Sequence, residues 1–356
     1  MRALVLAWAV AAAGAACLVS PAARAAESAP ADAAAPPATA AAAWLERMNR
    51  ALTSRNYDGT FSHWQGGTVQ MLRIIHRLQD GKVAERLVSL DGSGREFVRA
   101  GETLTCYLPD RRTVLVERRP SQQSLVSFPA VNGQTASYYD IREVARMRLN
   151  RRDTHLITIA PRDQYRYGYR LWIDDATAMP LKTQLCDAGG HVIEQIVFAN
   201  LTMPARIADS AFKPEVATEG FQWLRNTAAT SPPQQLPPAW SALKLPPGFR
   251  MMVRGAQTLP GSTTPVDQLV FTDGLASVSV FVEIGTAGGG TVPEPQTACL
   301  GSSCAFSTWV DGRKVTAVGE VPPATVRFFA TQLRAAGAAP TPAVDCLSSD
   351  CARTAQ

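Results

Sequence analysis

Nine arginines stand in two tight groups, Arg111, Arg112, Arg118 and Arg119, then Arg142, Arg146, Arg148, Arg151 and Arg152. A guanidinium is planar and always charged, and it donates in pairs to carboxylate and phosphate oxygens. The chemistry on offer is recognition of anions, either an acidic peptide or anionic lipid headgroups. The plainer alternative is a solvated charged face, and the sequence leaves both open. Residues 44–225 hold 25 basic and 20 acidic side chains, whereas residues 226–356 hold eight of each. The excess of positive charge therefore belongs to the first part of the chain.

Cysteine is the second reactive type. One of the seven, Cys17, falls in the N-terminal apolar stretch; the other six are Cys106, Cys186, Cys299, Cys304, Cys346 and Cys351. The spacing Cys299–Cys304 recurs as Cys346–Cys351, and each segment reads Cys-Leu, then small polar residues, then Cys. In an exported chain this predicts two local disulfides. Cys106–Cys186 is the pair left over, which forms only if their strands lie close. Zinc is the rival, but the gaps are four residues long and no histidine lies near.

A catalytic constellation is not visible. Gly92-Ser93-Gly94 reads as a hairpin turn, not a nucleophile elbow. Gly288-Gly289-Gly290 lacks the strand-to-helix context of a phosphate loop. His63, His76, His155 and His191 are isolated on strands or turns and read as surface or packing residues. Asp174-Asp175 reads as a turn. No cofactor and no metal is expected; an exported hydrolase with a scattered triad is the remaining enzyme reading.

These residues must be positioned by short elements. Trp44, Leu45, Met48, Ala51 and Leu52 share a helical face over 41–54. Strands follow at 57–64, 69–78, 83–90, 95–99, 103–108 and 113–116, separated by polar turns. Residues 121–150 interrupt this meander, and Ile141, Val144, Ala145 and Leu149 suggest a helix or irregular segment. Strands resume at 155–160, 165–174, 180–186 and 192–201. About ten strands with few helices imply a strongly curved sheet or open barrel. Its apolar concave face would suit acyl chains or an apolar peptide, with Trp64, Met71, Trp172 and Met179 as candidate lining residues. Core packing explains each of the four equally well.

The chain of 356 residues suits two domains. Residues 226–248 are Pro-rich and read as a linker. Beyond them come strands at 249–254, 266–272, 276–284, 306–309 and 314–318, a loop at 285–296, and a helix opened by Pro322-Pro323. Val326, Phe329, Ala330 and Leu333 share that helix's face. Residues 249–336 thus form a small αβ domain and 337–356 a Cys-containing tail. At the other end, Arg2, an apolar stretch over 3–19 and the small-residue site Ala23-x-Ala25 read as a signal peptide over 1–25. A membrane anchor and a lipoprotein, the latter through Cys17, are the alternatives. Residues 26–43 are an Ala/Pro leader with nothing to bury.

Several stretches in order then carry a family resemblance. They are Leu45-Glu46-Arg47-Met48 with Tyr57-Asp58-Gly59-Thr60-Phe61; Leu90-Asp91-Gly92-Ser93-Gly94-Arg95-Glu96-Phe97; Tyr138-Tyr139-Asp140; Tyr167-Gly168-Tyr169-Arg170-Leu171-Trp172-Ile173-Asp174; Leu245-Pro246-Pro247-Gly248-Phe249; Asp273-Gly274-Leu275-Ala276-Ser277-Val278-Ser279-Val280; and Gly319-Glu320-Val321-Pro322-Pro323. Across about 44–335 the chain resembles the RseB/MucB regulators of the envelope-stress sigma factor. The six cysteines and the tail after 336 depart from that pattern. The resemblance implies an α+β, β-rich fold: a LolA-like open half-barrel of antiparallel strands over 44–225, plus a smaller sheet-and-helix domain. It implies a periplasmic negative regulator that binds the periplasmic region of a membrane anti-sigma factor and shields it from site-1 proteolysis. Lipopolysaccharide or mislocalised lipoprotein acyl chains would release it. A periplasmic lipid or lipoprotein carrier of the LolA type is the alternative. Nucleic acid is not an expected partner, and a homo-oligomer is compatible with the sequence.

Overall fold

The computed structural model describes residues 38–118, 125, 133–226, 240–258, 265–283 and 294–335. The expected signal peptide, most of the leader, Arg119, the first half of the Pro-rich segment and the Cys346–Cys351 pair lie outside these residues. Helix α1 covers Ala38–Ser54. Its alanines favour helix intrinsically, and Trp44, Leu45, Met48, Ala51 and Leu52 form one buried face. At its end Thr53 and Ser54 turn their hydroxyls back onto the carbonyls of Asn49 and Arg50, and the chain breaks into strand.

Six antiparallel strands follow: β1 (Tyr57–Gln65), β2 (Thr68–Gln79), β3 (Lys82–Ser89), β4 (Glu96–Ala100), β5 (Thr103–Leu108) and β6 (Thr113–Arg118). After the short helix α2 (Gly133–Ala136) a second meander comprises β7 (Tyr139–Leu149), β8 (Arg152–Pro161), β9 (Gly168–Asp174), β10 (Pro180–Cys186) and β11 (Val192–Thr202). Strand β12 (Gln222–Asn226) then runs parallel to β6. All twelve make one sheet, ordered β12-β6-β5-β4-β3-β2-β1-β11-β10-β9-β8-β7, whose ends do not join. The two meanders meet where β1 pairs with β11.

The sheet curls around α1. The helix touches both β2 and β7, which stand six positions apart in the strand order. On a flat sheet, ~4.8 Å per strand would separate them by ~29 Å, against a helix only ~10–12 Å wide. The Asn150 side chain, in the β7–β8 turn, also reaches across to donate to the Phe198 carbonyl of β11 at 3.1 Å. One hydrophobic cluster consequently runs from Leu87 on β3 to Ile141 on β7 with α1 inside it. The result is an open half-barrel with its concave side filled by the helix.

The helix or irregular segment expected near 141–149 is strand β7. A β-bulge between Glu143 and Ala145 in its pairing with β8 breaks the two-residue alternation and leaves Val144 exposed. That single extra residue produces a helix-like spacing in a strand. Strand β12 was not anticipated either. It is short and its partner lies more than a hundred residues earlier.

The second unit begins inside the Pro-rich segment, which is therefore not linker throughout. Strand β13 (Trp240–Ala242) buries Trp240 and pairs with β20 (Leu333–Ala335). Between them lie β14 (Arg250–Thr258), β15 (Pro265–Thr272), β16 (Ser277–Glu283), β17 (Gln296–Leu300), β18 (Ser303–Val310), β19 (Arg313–Gly319) and helix α3 (Pro323–Thr331). The six strands β14 to β19 form a sheet ordered β14-β15-β16-β19-β18-β17. Helix α3 lies on it, and Phe329 packs its ring against Phe249 at 5.2 Å and Phe271 at 4.9 Å. Leu333, expected on the helix face, is buried but belongs to β20.

Candidate partner-binding surfaces

The two arginine groups lie towards opposite ends of the large sheet. Arg111 and Arg112 follow β5 in a one-turn 3-10 helix and its left-handed exit, and Arg118 closes β6, beside the end strand β12. Arg142, Arg146 and Arg148 project from β7, the other end strand, and Arg151 and Arg152 turn it into β8. The strand order places nine strands between β6 and β7, so the groups are two surfaces in the sheet, not one patch. Most of these cations already face a carboxylate: Arg118–Glu102 at 2.7 Å, Arg142–Asp140 at 2.6 Å, Arg146–Glu143 at 3.3 Å, Arg148–Asp153 at 3.7 Å and Arg152–Asp174 at 3.6 Å. Arg118–Glu102, Arg142–Asp140 and Arg148–Asp153 are open to solvent, and pairs of that kind contribute only ~0.2–1 kcal/mol. An incoming anion can therefore exchange with them at small cost, whereas Glu143 and Asp174 are buried behind their arginines.

Beside the second group is a cleft of about 460 Å³ lined by Arg146, Met147, Arg148, Asp153, Thr154, His155 and Asp175. At its base His155 spans two carboxylates, Glu143 on Nδ1 and Asp175 on Nε2, each at 2.7 Å. The hydrogen bond from His155 holds the Asp175 carboxyl below its usual range. Trp44 of α1 stacks on the same imidazole, with ring centroids 3.8 Å apart, and Arg47 lies over that indole. The arginine-rich hairpin is thus tied to the helix that fills the half-barrel. The other histidines are partnered as well: His63 with Glu194, His76 with Glu85 and His191 with Asp187.

Only one of the four residues expected to line the concave groove faces it. Met179 lies wholly buried in the core around α1. On β9, Leu171 and Ile173 point into that core, so Trp172 between them points outward. There its Nε1 donates to the Met147 sulfur at 3.0 Å and the Lys182 ammonium sits 4.5 Å above the ring. Trp64 and Met71 fall on the outer face by the same parity, because inward-facing Phe61 pairs with Leu72 while Ser62 pairs with Met71. Apolar residues on both faces hid the alternation.

The Cys299–Cys304 disulfide is present, joining directly opposed residues of β17 and β18 with Cα atoms 4.1 Å apart. The Cys106–Cys186 bond is not. These residues sit on β5 and β10, and five strands lie between them. Burial raises the Cys186 thiol above its usual value.

Sequence reasoning missed the junction between the two sheets. Arg166, completely buried, donates to Asp273 at 2.9 Å, to Asp163 at 3.1 Å and to the Pro247 carbonyl. Its guanidinium lies over Tyr138, Tyr139 and Phe249, between 5.0 and 5.4 Å from each ring centroid. The Tyr139 hydroxyl also donates to Asp273 at 2.8 Å. Burial first, then the charge of Asp273, push that hydroxyl far above its normal pKa, so it stays a donor. Asp273 is held from behind by the amides of Leu275 and Ala276 at 2.7 and 2.6 Å. A second contact joins Glu194 of β11 to Ser302 of the β17–β18 turn at 2.7 Å. Asp273-Gly274 falls between the strands expected at 266–272 and 276–284, a turn position that gives no hint of a buried ion pair, and nothing marked Arg166 among thirty arginines.

An open half-barrel with α1 on its concave side, bolted to a smaller sheet, defines a two-unit scaffold with charged residues towards both ends of the large sheet. The MucB/RseB N-terminal domain model matches residues 40–216 and the MucB/RseB C-terminal domain model matches residues 234–334. The chain belongs to the MucB/RseB family. It is 32% identical over 311 residues to the Pseudomonas aeruginosa protein MucB, a regulatory protein of sigma factor AlgU, covering 85% of this chain and 94% of that one. It is 29% identical over 304 residues to the sigma-E factor regulatory protein RseB of Salmonella typhimurium, covering 83% and 91%. The crystal structure of MucB in complex with MucA(peri) aligns with a TM-score of 0.65 at 31% identity, covering 83% of this chain and 98% of that one.

Proposed function

We propose that this chain is a periplasmic negative regulator of a sigma-E type envelope-stress response. It binds the periplasmic region of a membrane anti-sigma factor and shields it from site-1 proteolysis. The observation that carries this reading is the match over both sheet units to MucB, including MucB solved with MucA(peri). The function is binding rather than catalysis. Arg142, Arg146, Arg148, Arg151 and Arg152 around the cleft, with Arg111, Arg112, Arg118 and Arg119 as a second contact, take acidic groups of the partner or of a lipid headgroup. Lipopolysaccharide or mislocalised lipoprotein favours a different state of the protein from the partner, so each lowers the other's apparent affinity.

The test is binding of the mature chain to the periplasmic segment of its own organism's anti-sigma factor, with and without lipopolysaccharide. Tight binding that lipopolysaccharide weakens is expected. Absence of binding in both conditions would overturn the regulator reading and leave a lipid carrier on the same fold.

A further inference from the structure

The turn that carries Ser302 is built in an unusual way for a surface hairpin. Strand β17 is the outermost strand of the small sheet, and all five of its residues are exposed. Its two-residue turn to β18, Gly301–Ser302, does not end in solvent but in a cradle on the large sheet. Ser302 is fully buried there. Its hydroxyl donates to Glu194 at 2.7 Å and accepts from the Gln65 amide at 3.0 Å. The same carboxylate takes hydrogen bonds from His63 at 2.8 Å and Gln65 at 3.2 Å. Gly301 has φ +58, and a Cβ there would lie 2.1 Å from the Gln65 side chain, so the turn and cradle are fitted to each other.

An edge hairpin with no buried side chains on its outer strand has little besides its two-residue turn to hold its register. Here Cys299–Cys304 adds a covalent hold, with Cys299 three residues before Ser302 and Cys304 two residues after it. The two sulfurs are not equivalent in access, since Cys299 is exposed and Cys304 buried in the small core.

We propose that the Cys299–Cys304 disulfide is a redox-operated clasp between the two sheet units. Oxidised, it fixes the register that keeps Ser302 on the Glu194 cradle. A dithiol oxidoreductant attacks the exposed Cys299 sulfur and expels the Cys304 thiolate, which takes a proton. The second thiol of the reductant then resolves the mixed disulfide. The protein gains two electrons and two protons, and the reductant leaves as its own disulfide. The hairpin frays, the cradle empties, and the Arg166–Asp273 junction remains as the hinge. A partner seated across both units would feel that change; the clasp itself does not depend on which partner it is.

Hydrogen–deuterium exchange on the mature chain, without partner, tests this. The amides to watch are on the large sheet, at 64–69 and 192–196, far in sequence from the cysteines. Dithiothreitol is expected to accelerate their exchange about tenfold, the loss of one hydrogen bond to a charged acceptor. Cys299→Ser/Cys304→Ser should show the same acceleration without reductant. Ser302→Ala, with the disulfide intact, should show it too, and reduction should add nothing further there. Faster exchange confined to 296–310 would overturn the proposal. So would acceleration on reduction that the double serine variant does not reproduce, because it would then come from other cysteines.

Discussion

Replacing Asp273 by asparagine keeps the shape of the junction and removes only its negative charge. The carbonyl oxygen of the new side chain can still accept from Leu275 and Ala276. What it leaves behind is Arg166, a guanidinium with no solvent exposure, whose remaining carboxylate is Asp163 at 3.1 Å. Breaking a buried ion pair from one side costs about 3–5 kcal/mol, and the Asp163 contact and three aromatic faces favour the lower end. At ~2–4 °C per kcal/mol for a chain of this size, about 3 kcal/mol lowers the melting temperature by roughly 6–12 °C. Arg166→Met should cost a similar amount by stranding Asp273. The double variant strands neither charge, so it should cost less than the sum of the singles by about 2 kcal/mol. Urea unfolding of the four proteins, followed by tryptophan fluorescence, measures the cycle. Additive single effects, or an Asp273→Asn cost below about 1 kcal/mol, would refute the reasoning.

Phe329→Ala removes the ring that packs on Phe249 and Phe271; it should cost about 3–5 kcal/mol in equilibrium unfolding. Glu194 is opposed by burial, yet donors from His63, Ser302 and Gln65 outweigh it and hold the carboxyl below its usual value of 4.5. A lowered carboxylate pKa stabilises the folded state above the unfolded value and loses that contribution as pH falls through the folded one. Thermal melts should therefore show wild type above Glu194→Gln near neutrality, with the gap closing as the pH falls below the usual carboxylate value of 4.5. Arg142→Gln/Arg146→Gln/Arg148→Gln should weaken binding of the anti-sigma segment about tenfold and flatten its salt dependence, as read by titration calorimetry at two ionic strengths.

Much of this architecture was legible because most strands pair with their neighbours in sequence. Turns such as Asp80-Gly81 and Asp273-Gly274 announce themselves, and β1 to β6 needed only local pattern. Strands β7 and β12 were illegible for opposite reasons. A bulge disguised the first, and the second draws its stability from β6, a partner no local window contains. Strand β17 offers five exposed residues and no alternation. For the binding surfaces, residue type was readable and direction was not. The arginines were found, but their separation towards two ends of a sheet depends on strand order. Trp64, Met71 and Trp172 looked like groove residues because apolar side chains occupy both faces of their strands. Arg166 carries the junction only because two distant turns converge on it.

The seam between β1 and β11 has a bearing on how the chain reaches its native state. Each meander on its own is a series of adjacent hairpins, whose contacts are close in sequence and quick to form. The seam instead unites Tyr57–Gln65 with Val192–Thr202, so it must wait for both halves. Until it closes, each half offers a raw strand edge to any other chain in the same condition. Closing the seam is therefore the single event that both completes the sheet and covers those two edges. Helix α1, which precedes β1 and also touches β7, is the element placed to bring that event forward.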